Sequence, residues 1–227
     1  LFLLKNLCHM SIAGNLSTIL DEIPKEVSLV AVSKTKPIED LQAAYNAGQR
    51  IFGENKIQEM TSKWEVLPKD IQWHMIGNVQ SNKVKYMAPY VALIHGVDRA
   101  KLLAEINKQA AKNNRVIDCL LQVHIAQEST KFGLNETELN DIIHQQLTTP
   151  FPNIRIVGLM GMATFTSDNV QIKHEFTFLK TLYDKARNQL KDISILSMGM
   201  SGDYALAIEL GSNMIRVGSK IFGERNY

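Results

Sequence analysis

The stretch "LVAVSKTKP", residues 29–37, is an apolar run that delivers two lysines and stops at a proline. Such a pattern describes a short buried strand whose carboxyl end opens at Ser33-Lys34-Thr35. An ammonium group held beside a hydrophobic core is costly to keep charged; its pKa falls, and the amine becomes a usable nucleophile. Lys34 is the candidate amine, and Lys36, two residues on, is its rival and reads as a surface charge near the mouth.

Seven further runs of the same kind follow: "RIFG" (50–53), "QWHMIG" (72–77), "VALIHGV" (91–97), "VIDCLLQVHI" (116–125), "IRIVGLMGMA" (154–163), "SILSMGM" (194–200) and "NMIRVGS" (213–219). Between them apolar residues recur at spacings of three and four, as in Leu102, Leu103, Ile106, Ala110 and in Phe176, Leu179, Tyr183, Ala186, Leu190. Eight strand–helix units without a composition break or linker predict a single α/β domain, a parallel (β/α)8 TIM barrel, with an open doubly wound sheet as the alternative. A chain of 227 residues, 45% of them hydrophobic, is long enough for one such core. The barrel is placed at 11–227. Residues 1–10, which begin at Leu1 and end at Met10, read as a trimmed or over-extended N-terminal extension.

Composition removes several classes. Lys+Arg 25 against Asp+Glu 23 leaves a formal +2 with no block of like charge, so neither a nucleic-acid arm nor a polybasic membrane anchor is expected. Cys8 and Cys119 lack CxxC or Cys/His spacing, which argues against a disulfide framework and a zinc site and fits a reducing cytoplasm. Lys5 and His9 interrupt the first segment, so a signal peptide is not expected there, and no stretch approaches the ~18 apolar residues of a membrane span. The expectation is a soluble, cytoplasmic monomer without a metal.

Barrel enzymes place their chemistry at the carboxyl ends of the strands. Those ends read Ser33-Lys34-Thr35, Glu54-Asn55, His74 with Gly77-Asn78, His95-Gly96, His124, Met160-Gly161, Gly199-Met200-Ser201-Gly202 and Arg216 with Gly218-Ser219. The first supplies an amine. The last two supply small residues and hydroxyls entering helices, which suit a phosphate, and loops seven and eight are where this fold commonly holds one. A Schiff-base lysine opposite a phosphate cup is a place for pyridoxal 5′-phosphate. Plainer roles stay open: Ser201 and Ser219 as helix caps, Arg216 as a partner of Glu209 or Glu224, and His74, His95 and His124 as packing residues rather than ligands.

Taken together, "LVAVSKTKP", "AGQRIFGENKIQE", "WHMIGNVQSNK", "VDR", "GLMGMA", "LSMGMSGDY" and "IRVGSKIFGER" closely resemble the pyridoxal phosphate homeostasis protein family, in order along the chain after Met10. The resemblance implies a fold-type III barrel like the N-terminal domain of alanine racemases, binding the cofactor without a dedicated reaction. It implies that Lys34 forms the Schiff base, that Ser201, Gly218 and Ser219 hold the phosphate, that Arg216 faces the ring or phosphate side, and that Asn55 and Met200 line the ring. Departures from the family pattern are Asn78 for Pro, Gly96 for Ser, and Asn213 and Ser219 for Thr. Ser219 keeps the hydroxyl, whereas Gly96 is expected to loosen one wall.

Three functions follow as alternatives: a carrier or buffer serving apo forms of pyridoxal-phosphate enzymes, an amino-acid racemase or related enzyme, and a phosphosugar-type barrel enzyme without the cofactor. Racemisation needs acid/base groups on both faces of a carbanion, and in racemases of this fold the second comes from an all-β domain. The chain ends with "IFGERNY" just after its eighth strand, and its tyrosines 45, 86, 90, 183 and 204 fall in helical stretches. The carrier is therefore the expected function, with no catalytic residue.

Overall fold

Parallel strands covered on both faces read as near-continuous apolar runs, and that is how the chain is written. The computed structural model describes residues 11–128 and 130–224. The elements run α1 (Ile12–Glu22), β1 (Ser28–Val32), α2 (Ile38–Asn46), β2 (Ile51–Glu54), α3 (Ile57–Val66), β3 (Gln72–Met75), a 3-10 turn (Ser81–Lys83) and α4 (Val84–Met87), β4 (Leu93–Val97), α5 (Ala100–Lys112), β5 (Ile117–Gln122), α6 (Glu136–Thr148), β6 (Ile154–Met160), α7 (Asn169–Arg187), β7 (Ile195–Ser197), α8 (Tyr204–Glu209), β8 (Met214–Val217) and α9 (Ser219–Phe222). All eight expected strands are present. They pair in sequence order and in parallel into a closed barrel, sealed where Ser28 to Ala31 of β1 meet Met214 to Val217 of β8. The extension expected at 1–10 and the terminal Tyr227 lie outside the described residues.

Alternation along the strands sorts the side chains into two cores. Leu29, Ala31, Phe52, Trp73 and Ile94 point outward into the layer between sheet and helices. Val30, Leu93, Leu120, Val157, Met160 and Met214 fill the inside of the barrel. Continuing the period of two from Val30 puts Val32 and then Lys34 on the inside, and continuing it from Met214 does the same for Arg216 and Gly218. The inner core is thus apolar below and becomes polar towards the carboxyl ends of the strands.

Helix starts follow local chemistry: Asn135 and Glu138 form a reciprocal capping box at α6, and the Asp168 carboxylate accepts from Val170 N and Gln171 N at α7. No helix among the described residues is long and apolar enough to cross a membrane.

Candidate functional site

A cavity of ≈ 600 Å³ opens at the carboxyl ends of the strands, and Lys34, Asn55, Met200, Ser201, Arg216, Gly218 and Ser219 all line it. Seven residues spread over 186 positions of sequence meet because the strand period aims Lys34, Arg216 and Gly218 at one end of the barrel, and the segments that follow β2, β7 and β8 bring Asn55, Met200, Ser201 and Ser219 to the same end. That volume lies within the ordinary range of small-molecule sites.

The loops after β7 and β8 are bound to each other. Gly218 N donates to Ser201 Oγ at 3.3 Å, so Ser201 couples the two loops instead of capping α8, whose N-cap position is Asp203. Asp203 in turn accepts from Met200 N at 2.6 Å. Gly199 makes the approach possible: its φ is +96°, and a Cβ there would lie 2.6 Å from Ala207 Cβ. Ser219 opens α9.

Arg216 is 4% exposed and holds the middle of the barrel. Its Nη1 donates to Ser197 O (3.0 Å) and Ser197 Oγ (2.7 Å), and its Nη2 donates to Gly161 O at 3.0 Å. It pairs with neither Glu209 nor Glu224. A guanidinium can only donate, so Ser197 Oγ accepts from it and also stands in hydrogen-bond reach of His95 Nδ1, 3.3 Å away. His95 Nε2 in turn is hydrogen-bonded to His74 Nδ1 at 3.1 Å. One chain of hydrogen bonds therefore links Arg216 through Ser197 to the two histidines. Burial drives His74 down to about 3, and burial with the neighbouring His74 and Arg216 drives His95 well below the usual histidine range. Burial also lowers Arg216 to about 10, against the pull of Asp203, which leaves it charged at neutral pH.

His124 stands apart, bonded through Nε2 to Glu128 O at 3.0 Å. The three histidines do not converge, and no metal-ligating group of three occurs among the described residues. Gly96 opens no gap in the wall, contrary to the expectation from sequence: a Cβ there would run into the Gly77 carbonyl oxygen, so backbone already fills the place. Lys36 is also more than a surface charge, since its Nζ donates to Phe222 O (2.8 Å) and Glu224 O (3.0 Å).

Behind β1 and β2 lies an ionic cluster that the sequence reading missed. Lys63 of α3 is 5% exposed and donates to Glu54 Oε1 (2.7 Å), Glu59 Oε1 (2.7 Å) and Ser33 O (2.8 Å). Glu54 is fully buried and accepts from Ser33 Oγ at 2.6 Å; burial raises its pKa while Lys63 opposes the rise. The available signal was the i, i+4 spacing of Glu59 and Lys63, which ordinarily marks an exposed helix pair.

A closed parallel (β/α)8 barrel with a lysine at the end of its first strand and serines beside glycines after its seventh and eighth, all lining one cavity, defines the class of barrels with a polar mouth at the carboxyl ends of their strands. The chain belongs to the pyridoxal phosphate homeostasis protein family, within the group whose family model, alanine racemase N-terminal domain, matches residues 9–226. It is 41% identical over 209 residues to the pyridoxal phosphate homeostasis protein of Vibrio alginolyticus, covering 90% of this chain and 89% of that one. The homologue of that name from Aquifex aeolicus is 37% identical over 230 residues, covering 96% and 100%. Among solved structures, PipY of Synechococcus elongatus with pyridoxal phosphate bound is 32% identical with a TM-score of 0.86, covering 94% of this chain and all of that one. Alanine racemase of Bartonella henselae shares the fold, with a TM-score of 0.74 at 17% identity over 95% of this chain and 60% of that one.

Proposed function

We propose that this protein binds pyridoxal 5′-phosphate at the barrel mouth and buffers or hands on the cofactor without turning over a substrate of its own. The observation that carries this reading is the meeting of Lys34 with Ser201, Arg216, Gly218 and Ser219 around one cavity. When bound, the cofactor supplies an aldehyde that condenses with an amine, a phosphate that takes hydrogen bonds, and an aromatic ring. The donor set fits each of these. Lys34 offers the amine, Ser201 and Ser219 offer hydroxyls on two loops held together by Gly218 N, and Asn55 and Met200 offer ring-facing surface. Arg216 contributes a buried positive charge to the middle of the site. The relatives named above, and PipY with the cofactor bound, support the same reading.

Carriage rather than catalysis is favoured by the rim. Phe132 and Phe165 stand exposed beside the cavity, and no tyrosine lines it among the described residues. The tyrosine expected opposite the amine in a racemase of this fold has no counterpart among the described lining residues, which leaves stereospecific reprotonation of a carbanion without that partner. A cytoplasmic, monomeric protein that serves apo-enzymes of the cofactor is consistent with this chemistry.

The test has two arms. Purified protein loaded with pyridoxal 5′-phosphate should be yellow, lose the colour in Lys34→Ala and keep it in Lys36→Ala; the reverse pattern overturns the assignment of the amine. Incubated with L-alanine in deuterated water, the loaded protein should give neither Cα deuterium nor D-alanine at enzymatic rates, while passing cofactor to an apo-transaminase. Sustained turnover on the order of 1 per second that Lys34→Ala abolishes overturns the carrier reading.

A further inference from the structure

We infer that Lys63 and Glu59 of α3 form a clamp that positions the Lys34 amine by gripping the peptide groups on either side of it; the inference rests on the cofactor reading above. Lys34 sits second in a four-residue turn closed by Lys36 N donating to Ser33 O at 3.1 Å. The third residue, Thr35, has φ +62°. A positive φ at that place is the type II pattern, which calls for Gly or Asn. Thr is β-branched, and its own preference is against the left-handed region. Left to local energetics, the turn would relax and swing the residue in front of Thr35. Something outside the turn must hold it.

Both handles come from one helix. Lys63 Nζ donates to Ser33 O at 2.8 Å, immediately before Lys34, and Thr35 N donates to Glu59 Oε1 at 2.6 Å, immediately after it. Lys63 and Glu59 are themselves paired at 2.7 Å, and Glu54 locks the assembly by taking both Lys63 Nζ and Ser33 Oγ on Oε1. Every polar atom of Ser33 is thereby engaged, since its N–H donates to Gly53 O at 3.0 Å. Glu54 Oε2 is buried with no hydrogen-bond partner among the described residues, so the cluster is arranged to hold Ser33 rather than to satisfy its own carboxylate. Neither Lys63, Glu59 nor Glu54 lines the cavity. They act through the backbone of Lys34, as positioning residues.

The consequence is a separation of binding from bond formation. Condensation joins the amine nitrogen to the aldehyde carbon and releases the carbonyl oxygen with two amine protons as water, and its rate depends on where the amine stands. The phosphate side, on the β7 and β8 loops, does not depend on the clamp. The experiment uses the full chain and mixes it with pyridoxal 5′-phosphate, following the visible band against cofactor concentration, in the unmutated protein, Lys63→Met and Glu59→Ala. Binding of 4′-deoxypyridoxine 5′-phosphate, which has no aldehyde, is measured in parallel. The limiting rate should fall at least about tenfold in Lys63→Met and about threefold in Glu59→Ala, while analogue affinity and the half-saturating cofactor concentration stay within about twofold of the unmutated protein. Glu59 is partly exposed, so its truncation tests the clamp even where Lys63→Met fails to fold. A Glu59→Ala protein with an unchanged limiting rate overturns the clamp, as does a loss of analogue affinity matching the loss of rate. Absence of the band in the unmutated protein overturns the cofactor reading and the clamp together; a band formed equally fast in all three overturns the clamp alone.

Discussion

The two sides of the cavity bury a cation each and compensate it in opposite ways. On the β1–β2 side, Lys63 meets two carboxylates, Glu54 and Glu59, at 2.7 Å. On the β7–β8 side, Arg216 meets only neutral oxygens, of Ser197 and Gly161, with Asp203 acting on it through space. A neutralised cation adds rigidity and little field. A cation solvated by dipoles keeps its field, and in a low-dielectric pocket that field draws an anion. On the proposed function the first side is scaffold and the second is receptor. Substitutions on the first should therefore cost mainly stability or bond formation, and on the second mainly affinity.

The largest break should come from Lys63→Met, which strands Glu54 uncompensated in the buried layer between the barrel and α3. A broken buried pair costs ~3–5 kcal/mol, read by urea unfolding at neutral pH, and adding Glu54→Gln should recover much of it. Arg216→Met removes three hydrogen bonds to neutral acceptors and should cost less stability. Its larger effect should be on affinity for pyridoxal 5′-phosphate, measured by equilibrium titration. Equal stability losses for the two substitutions would erase the distinction between the sides.

Acid should next attack the two buried histidines of β3 and β4, which are linked through Ser197 to Arg216. His74 titrates near 6.5 when unfolded and is held at about 3 when folded, so the unfolded chain binds more protons throughout that window. Stability therefore rises with pH between about 3 and 6.5 and is lost as pH falls through it, by roughly 3 kcal/mol at pH 4 from His74 alone at ~1.4 kcal/mol per unit. His95 shifts in the same direction. Unfolding free energies from pH 7 to 4 should show this slope, and His74→Gln should flatten it.

Ser201→Ala and Ser219→Ala should each weaken cofactor retention by ~1–3 kcal/mol, the scale of a hydrogen bond to a charged group. Non-phosphorylated pyridoxal should be indifferent to both, and equal affinities of the unmutated protein for the two ligands would remove the phosphate cup. The smallest effect should be on the turn: Thr35→Asn, which tolerates a positive φ, should raise the unfolding free energy by up to ~1 kcal/mol.

The order of eight strands was legible because each is apolar on both faces, and the period of two then carried Lys34, Arg216 and Gly218 to one end. The loop residues Ser201 and Ser219 were legible as hydroxyls beside glycines. What stayed hidden depends on non-local partners. Nothing in "NKIQEMTSK" distinguishes the buried Lys63 from an ordinary exposed i, i+4 lysine, because its burial is decided by Glu54 at the end of β2 and Ser33 just after β1. The turn at Thr35 was invisible for the converse reason, since its residue type argues against the conformation that Glu59 enforces. Gly96 misled because a missing side chain reads as space, whereas the Gly77 backbone occupies it.

The seam between β1 and β8, with Lys36 reaching Phe222, joins residues 186 apart. During synthesis at roughly 5–20 residues per second, the first strand must wait on the order of 10–40 s after leaving the ribosome before its second edge is covered. For that interval Lys34 is an ordinary, solvated lysine on an unfinished sheet. On the proposed function the chain thus acquires its reactive amine late, as an act of closure, and a nascent copy offers free carbonyl compounds nothing that any other lysine does not.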